Sequence, residues 1–277
     1  MATIQNARSV LSYLDMQAYV GISKHNGGFE ATDELLSLCH IQNAQEALNV
    51  GCGIGVGSAY VAKTYDCLVV GVDLSEKMIA WSRLRAREER IEDGVESQVA
   101  NVLDLPFDAD RFDVVFCESV IAFVAEKRRA IQECVRVAKP GGYVGLNESF
   151  WIEEPSPEIV TRARALVGTD VPIAATWQAL WEESGLQDRV VRFHRVDQRT
   201  EVRSRIRWVG WRWAVRAAGR LLRLYVTYPA ARQSLKDIFG VPLDVTQQMG
   251  YGLFAGRKQE RERVRDLATE QPTGPLQ

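Results

Sequence analysis

The sequence predicts a doubly wound α/β protein with a mostly parallel sheet. Three observations predict it. Short Val-rich apolar runs recur at 47–50, 67–72, 97–102, 112–117 and 143–150. Helical stretches separate most of them, and alternating strand and helix implies a parallel sheet covered on both faces. The first run ends in a glycine-rich turn, Gly51-Cys52-Gly53-Ile54-Gly55, and the second in a carboxylate, Asp73. That order suits a βαβ unit that brings backbone close to a nucleoside and puts a carboxylate on its ribose.

The elements follow in order. Val10 to Tyr19 reads as a weakly amphipathic helix, and Lys24-His25-Asn26-Gly27-Gly28 as a loop. Thr32 to Cys39 reads as a helix capped by Thr32, with Leu35, Leu36 and Cys39 on one face. Ser75 caps a helix running to Glu89. Another covers Glu126 to Ala138 and is stopped by Lys139-Pro140-Gly141-Gly142. A helix over Trp177 to Ser184 stops at Gly185 and leads into an apolar stretch through Val190, Val191 and Phe193. Residues 251–257 read as a last strand and 259–277 as a frayed tail.

Composition narrows the class. The chain has 277 residues, 46% hydrophobic and 25% charged, with a net charge of −2. It can bury a large core and does not present itself as a polyanion binder. Five cysteines, with no C-x-x-C pair, fit neither a disulfide framework nor a zinc site. A reducing cytoplasm is the simplest compartment, with no signal peptide or spanning segment expected.

The glycine spacing is G-x-G-x-G, whereas a dinucleotide loop prefers G-x-G-x-x-G with a pyrophosphate at the helix N-terminus. A ligand without phosphates fits better. With it come, in order, Val72-Asp73-Leu74-Ser75-Glu76-Lys77-Met78, Leu105-Pro106-Phe107, Arg111-Phe112-Asp113-Val114-Val115 and Lys139-Pro140-Gly141-Gly142. Together these resemble the class I S-adenosylmethionine (SAM)-dependent methyltransferases. The likeness is to the small-molecule branch that includes quinone, sterol and phosphoethanolamine methyltransferases. It is strong over about 45–151 and weaker over 176–193 and 251–257.

The resemblance implies a Rossmann-like seven-stranded sheet. It also implies SAM as methyl donor, S-adenosylhomocysteine as product and a small-molecule acceptor with N, O, S or activated carbon. Gly51, Cys52 and Gly53 would lie under the methionine part, Asp73 would hold the ribose, and Leu74 and Met78 would pack near the ribose and adenine. Asn101 and the Val102 backbone would meet the adenine. The family usually has Asp at the position of Asn101 and Asp or Glu at that of Asn49, so two charges are dropped here.

Glu118 ends the fourth strand and faces either cofactor or acceptor. His25, Tyr19 and Glu148 are the candidate catalytic groups, His25 as a base carried by an N-terminal lid. No metal is expected. Two alternatives stay open, a SAM-binding protein without catalysis and an NAD-dependent oxidoreductase. The loop spacing and the Lys139–Gly142 turn argue against the latter.

Residues 189–232 carry twelve arginines against Asp197 and Glu201, a net +10 that leaves −12 for the remainder. As a helix at about 100° per residue, 208–226 gathers Arg212, Arg216, Arg220 and Arg223 in one arc, with Val209 among them. Trp208, Trp211, Trp213, Val215, Leu221, Leu222, Leu224 and Tyr225 cover most of the remainder, a face expected to be buried. It could roof the substrate pocket and favour an anionic acceptor, join two copies, or lie on an anionic membrane. An Arg–Trp cluster also suits nucleic acid, but the apolar arc is too broad for that reading to lead. The expected organisation is a lid (1–46), a core (47–200), an Arg/Trp-rich helical cap (201–248), a last core strand (249–258) and a tail (259–277).

Overall fold

The computed structural model describes residues 13–23, 25–167, 170–196, 207–239 and 248–260. The start of the first expected helix, most of the tail and Arg199, Arg203 and Arg205 lie outside the described residues. Seven strands form one sheet: β1 (Glu46–Val50), β2 (Leu68–Asp73), β3 (Val95–Val99), β4 (Phe112–Glu118), β5 (Ala138–Trp151), β6 (Gln187–Arg195) and β7 (Met249–Arg257). Their order is β3-β2-β1-β4-β5-β7-β6. The first five strands pair parallel, and β7 runs antiparallel between β5 and β6. The strand order reverses beside β1, and in sheets of this kind the ligand crevice lies outside the carboxyl ends of the strands at such a point, here β1 and β4.

Helices α1 (Tyr13–Val20) and α2 (Gly28–Leu38) precede the sheet. Within it come α3 (Val56–Tyr65), α4 (Glu76–Glu89), α5 (Lys127–Val137), α6 (Pro157–Val167) and α7 (Ala174–Glu182). Helices α8 (Trp211–Thr227) and α9 (Pro229–Phe239) lie between β6 and β7. One face of the sheet packs Val114, Phe116, Val69 and Ala255 against Leu36, Cys39 and Val61. The other packs Val115, Cys117, Val144, Leu146 and Phe254 against Ile131, Cys134, Trp177 and Trp181. Side chains alternate between the two faces along β4, as strand geometry requires. All five cysteines are buried and free.

Several local expectations shift. Helix α2 starts after Gly27, whose φ of 79° opens the helix, so Thr32 is an interior, buried residue and no cap. Ser75 does cap α4, accepting from the Met78 N–H. The third strand ends at Val99, and residues beyond it turn through an Asn101–Asp104 bridge. The residues after α5 continue directly into β5, where Gly142 lies so close to the Asp113 carbonyl that a Cβ would meet it at 2.7 Å. Helix α6 adds an element the strand-and-helix pattern does not single out, and α9 lies within the expected 201–248 cap.

The largest departure concerns 208–226. Gly210, at φ 83°, breaks the run, and α8 begins after it. Trp208, Val209, Trp213, Ala217 and Leu224 are buried, but Trp211, Val215, Leu222 and Tyr225 are exposed. Val209, placed by the helical wheel among the arginines, is interior because the break at Gly210 resets the phase. Arg220 turns inward, and Arg216 reaches across the surface to α4. Arg220 Nε donates to the Val20 carbonyl at 2.6 Å and its guanidinium lies over Trp81, while Arg216 pairs with Glu88. The apolar arc is therefore split, one part packed on α1 and α4 and the other left to solvent.

Candidate functional site

The crevice begins with backbone. Val72 O receives the N–H groups of Gly51 and Cys52, at 2.7 and 2.9 Å, locking the loop onto β2. Gly51, Gly53 and Gly55 all take positive φ, which glycine adopts without penalty. A side chain at Gly51 would collide with Val120, and one at Gly53 would meet Ser23 Cβ at 2.7 Å. The loop is thus packed between the N-terminal segment and the turn after β4.

Asp73 closes this half. Its Oδ2 accepts the Gly53 N–H at 3.0 Å and its Oδ1 the Ser75 N–H at 2.9 Å. Burial pushes its carboxyl above the ordinary range, and the two backbone donors pull the other way. A carboxylate has about four acceptor sites, so two remain for vicinal hydroxyls. Leu74 beside it is 72% exposed and offers an apolar surface. Met78 is buried with Ile54, Val56, Trp208 and Trp213. Cys52 is fully enclosed, and burial raises its thiol pKa, so it is inert.

The two missing charges have structural substitutes. Asn49 is buried and donates to Ser58 Oγ at 3.0 Å, tying β1 to α3 with no charge to desolvate. Asn101 is exposed, and its Oδ1 accepts the Leu103 N–H at 3.0 Å, so that oxygen shapes the turn. Val102 is buried beside it.

The other half is built from side chains. Thr32 Oγ1 lies 3.1 Å from Glu118 Oε1 and 3.2 Å from His25 Nε2. Asn147 Nδ2 donates to the Asn26 carbonyl at 3.0 Å and to Glu118 Oε1 at 3.3 Å. Asn26 Nδ2 in turn donates to Ser149 Oγ at 2.8 Å. His25 Nδ1 sits 3.0 Å from the Asn26 carbonyl and 3.6 Å from Glu118 Oε1. A carbonyl only accepts, so the proton belongs on Nδ1. The ring meets Trp208 edge-on at 4.2 Å. Two buried polar atoms beside this cluster, Asn147 Oδ1 and Ser119 Oγ, have no partner among the described residues. Ser119 also takes a left-handed φ of 57° at the end of β4.

The expected catalytic residues divide. The structure brings His25 and Glu118 together. His25 Nδ1 is held by the Asn26 carbonyl and Nε2 faces the Thr32 hydroxyl, so the ring ties the N-terminal segment to the strand ends. Tyr19 does not join them; it packs with Met16, Val20, Ala217 and Leu224. Glu148 is a correction. It is completely buried and accepts the N–H groups of Val120, Ile121 and Ala122 at 3.1, 2.8 and 3.0 Å. Burial pushes its carboxyl up to about 7 against those three donors. The reason is register: Asn147 pairs with Glu118 across the sheet, so Glu148 points to the opposite face. Strand alternation applied to both strands would have singled out Asn147. Nothing in the local sequence marks Asn26, Thr32 or Ser149.

Among the described residues no group of His, Cys, Asp and Glu could hold a metal ion. No described helix is long and apolar enough to cross a membrane.

Comparison with known proteins agrees with the βαβ reading. Residues 48–146 match the family described as "Methyltransferase domain". Phosphoethanolamine N-methyltransferase 1 of Triticum aestivum is 32% identical over 173 residues, covering 62% of this chain and 34% of that protein. The 27-O-demethylrifamycin SV methyltransferase of Amycolatopsis mediterranei is 27% identical over 125 residues, covering 45% of this chain and 46% of that one. The chain thus spans about a third of the length of the phosphoethanolamine methyltransferases it matches. Among solved structures, the [4+2]-cyclase SpnF superposes with a TM-score of 0.70 at 21% identity, covering 93% of this chain and 97% of its own. Phosphoethanolamine N-methyltransferase 2 of Haemonchus contortus, in complex with S-adenosyl-L-methionine, gives 0.67 at 18%, covering 91% and 59%. These likenesses in structure concern the fold.

Proposed function

We propose that this chain, a class I small-molecule methyltransferase by its domain and its fold, moves a methyl group from SAM to a small acceptor bound at the carboxyl ends of β4 and β5. The observation that carries the reading is the juxtaposition of two differently built halves. A glycine loop with a half-used Asp73 carboxylate lies on one side, and the buried His25–Thr32–Glu118–Asn147 cluster on the other.

The residues fit the cofactor. Asp73 keeps acceptor capacity for a ribose diol, and Leu74 presents an apolar edge. The expected binding set is Gly51, Cys52, Gly53, Asp73, Leu74, Met78, Asn101 and Val102, with Glu118 at its border. When bound, the sulfonium supplies an activated methyl, and the acceptor lone pair forms the new bond as the sulfur–carbon bond breaks.

The chain's part is mainly to align and to exclude water. In our reading α1, α2 and the inner face of α8 act as the lid. Trp213 Nε1 donates to the Gly21 carbonyl at 2.5 Å and Trp81 Nε1 to the Ala18 carbonyl at 3.0 Å, fastening the segment over the loop. Glu118 takes up a proton released by the acceptor, directly or through the His25 ring, and Thr32 and Asn147 hold its carboxylate in place.

The acceptor class follows from the same cluster. Arg216 and Arg220 are spent on Glu88 and the Val20 carbonyl, so the expected arginine roof supplies little support for an anion. The Glu118 carboxylate beside His25 better suits a hydroxyl or an amine. The names of the relatives put phosphoethanolamine-type amines among the first acceptors to try. Incubation with isotopically labelled SAM and a panel of amines and alcohols should release S-adenosylhomocysteine and label one class. Calorimetry that finds no SAM binding at millimolar concentration, with NAD bound instead, would sink the reading. Binding without turnover on any acceptor would favour a SAM-binding protein that does no chemistry.

A further inference from the structure

We infer that the outer face of α8 is a docking surface for an anionic lipid bilayer. The exposed part of the split apolar arc is a continuous stripe. Trp211, Val215, Leu222 and Val226 are between 63 and 68% exposed, and Tyr225 is 45% exposed. At about 100° and 1.5 Å per residue they fall within an arc of roughly 100° and run for roughly 23 Å along the helix. Exposed apolar residues this large are ordinary when scattered, but a contiguous row of them marks an interaction surface.

The charges beside the stripe identify its partner. Arg212 lies over the Trp211 ring at 5.4 Å, and Arg232 of α9 lies over the Tyr225 ring at 5.3 Å. A guanidinium thus accompanies an exposed aromatic ring near each end of the row. Arg223 is a third exposed cation, about 20° around the helix from Arg212. From 202 to 236 the sequence has eight arginines and one lysine and no acidic residue. Two acidic groups that face this segment, Glu30 and Glu88, pair with Arg207 and Arg216. Aromatic and aliphatic side chains flanked by long cations match the boundary of a bilayer, where rings enter the headgroup layer and guanidinium groups meet lipid phosphates.

A second copy of the chain fits less well. A two-fold contact would bring Arg212, Arg223 and Arg232 of one copy against the same set of cations on the other, with no carboxylate of the stripe to offset them.

The test uses the full chain and vesicles, and its readouts do not depend on methyl transfer. Co-sedimentation with vesicles of phosphatidylcholine alone and of phosphatidylcholine mixed with phosphatidylglycerol should show about tenfold stronger binding to the anionic mixture, lost at high salt. Trp211→Ser with Leu222→Ser should weaken that binding by about tenfold or more. Arg212→Gln and Arg223→Gln should each weaken it about fivefold. These positions are exposed, so circular dichroism should remain that of the parent. Equal binding to both vesicles, no binding to either, or a double-serine variant that binds like the parent would overturn the inference. So would a dimer in sedimentation equilibrium that the double-serine variant dissociates.

Discussion

The two halves of the crevice are built by different means. On the β1–β2 side the chain shapes itself with backbone: positive-φ glycines, two N–H groups on Val72 O, and an aspartate held by the amides of Gly53 and Ser75. Its members lie within 25 residues of one another. On the β4–β5 side the shape comes from side chains brought from afar, with Thr32 meeting Glu118 and Asn147 meeting the Asn26 carbonyl across 86 and 121 residues. The first half is specified locally and the second by packing. A lesion in the first should therefore act on ligand binding, and a lesion in the second on fold or turnover.

The largest expected effect falls on the scaffold of the second half. Glu148→Ala leaves three buried N–H groups without an acceptor and should cost ~3 kcal/mol or more in a urea melt. A loss under about 1 kcal/mol would show that the turn after β4 does not depend on this carboxylate. The same residue gives a pH signature. Between its ordinary value of 4.5 and about 7 the native state holds a proton that the unfolded chain has released. Stability from this group is therefore full below about 4.5 and declines as pH rises through about 7. Melts at several pH values should show that slope in the parent and its absence in Glu148→Gln.

Next comes the chemistry of the second half. Glu118→Gln should lower turnover roughly 100-fold with little change in SAM affinity, as expected for loss of a proton acceptor. If KM for SAM rises instead while kcat holds, Glu118 belongs to the cofactor half. On the first side, Asp73→Ala should weaken SAM binding by roughly 10- to 100-fold in calorimetry, the worth of charged hydrogen bonds to a diol. Unchanged SAM affinity would break the comparison, because the backbone half would then bind without its one charged group.

The smallest effect should be that of Glu88→Gln, which breaks an exposed pair with Arg216. Hydrogen bonding to Arg216 holds the Glu88 carboxyl below the usual range, but both groups are solvent-screened. A loss of at most ~0.5 kcal/mol, fading with salt, is expected in thermal melts. A larger loss would make this pair a true fastening of α8 to α4.

The legible parts of the sequence share a property. The glycine turn, the Asp73 carboxylate and the cap at Ser75 each follow from residues within a few positions of one another. Local backbone geometry then decides the outcome. The strand faces were harder to read. Strands β4 and β5 are buried on both sides, so hydropathy does not alternate and cannot tell Asn147 from Glu148. Thr32 has the look of a helix cap, yet Gly27 starts α2 earlier and turns that hydroxyl toward Glu118. The 208–226 segment shows the same limit. Its periodicity is strong, but a break at Gly210 and the inward Arg220 reverse which side meets water.

By itself the sequence determined the doubly wound sheet and the backbone cradle at β1 and β2, because short-range periodicity and glycine φ preferences fix them. The tertiary structure alone decided which carboxylate enters the crevice and which carries the turn beneath it. It also decided which face of α8 clasps the N-terminal segment and which is left bare. Those choices depend on register and packing between residues far apart in the chain, where a shift of one position along a strand exchanges the two faces.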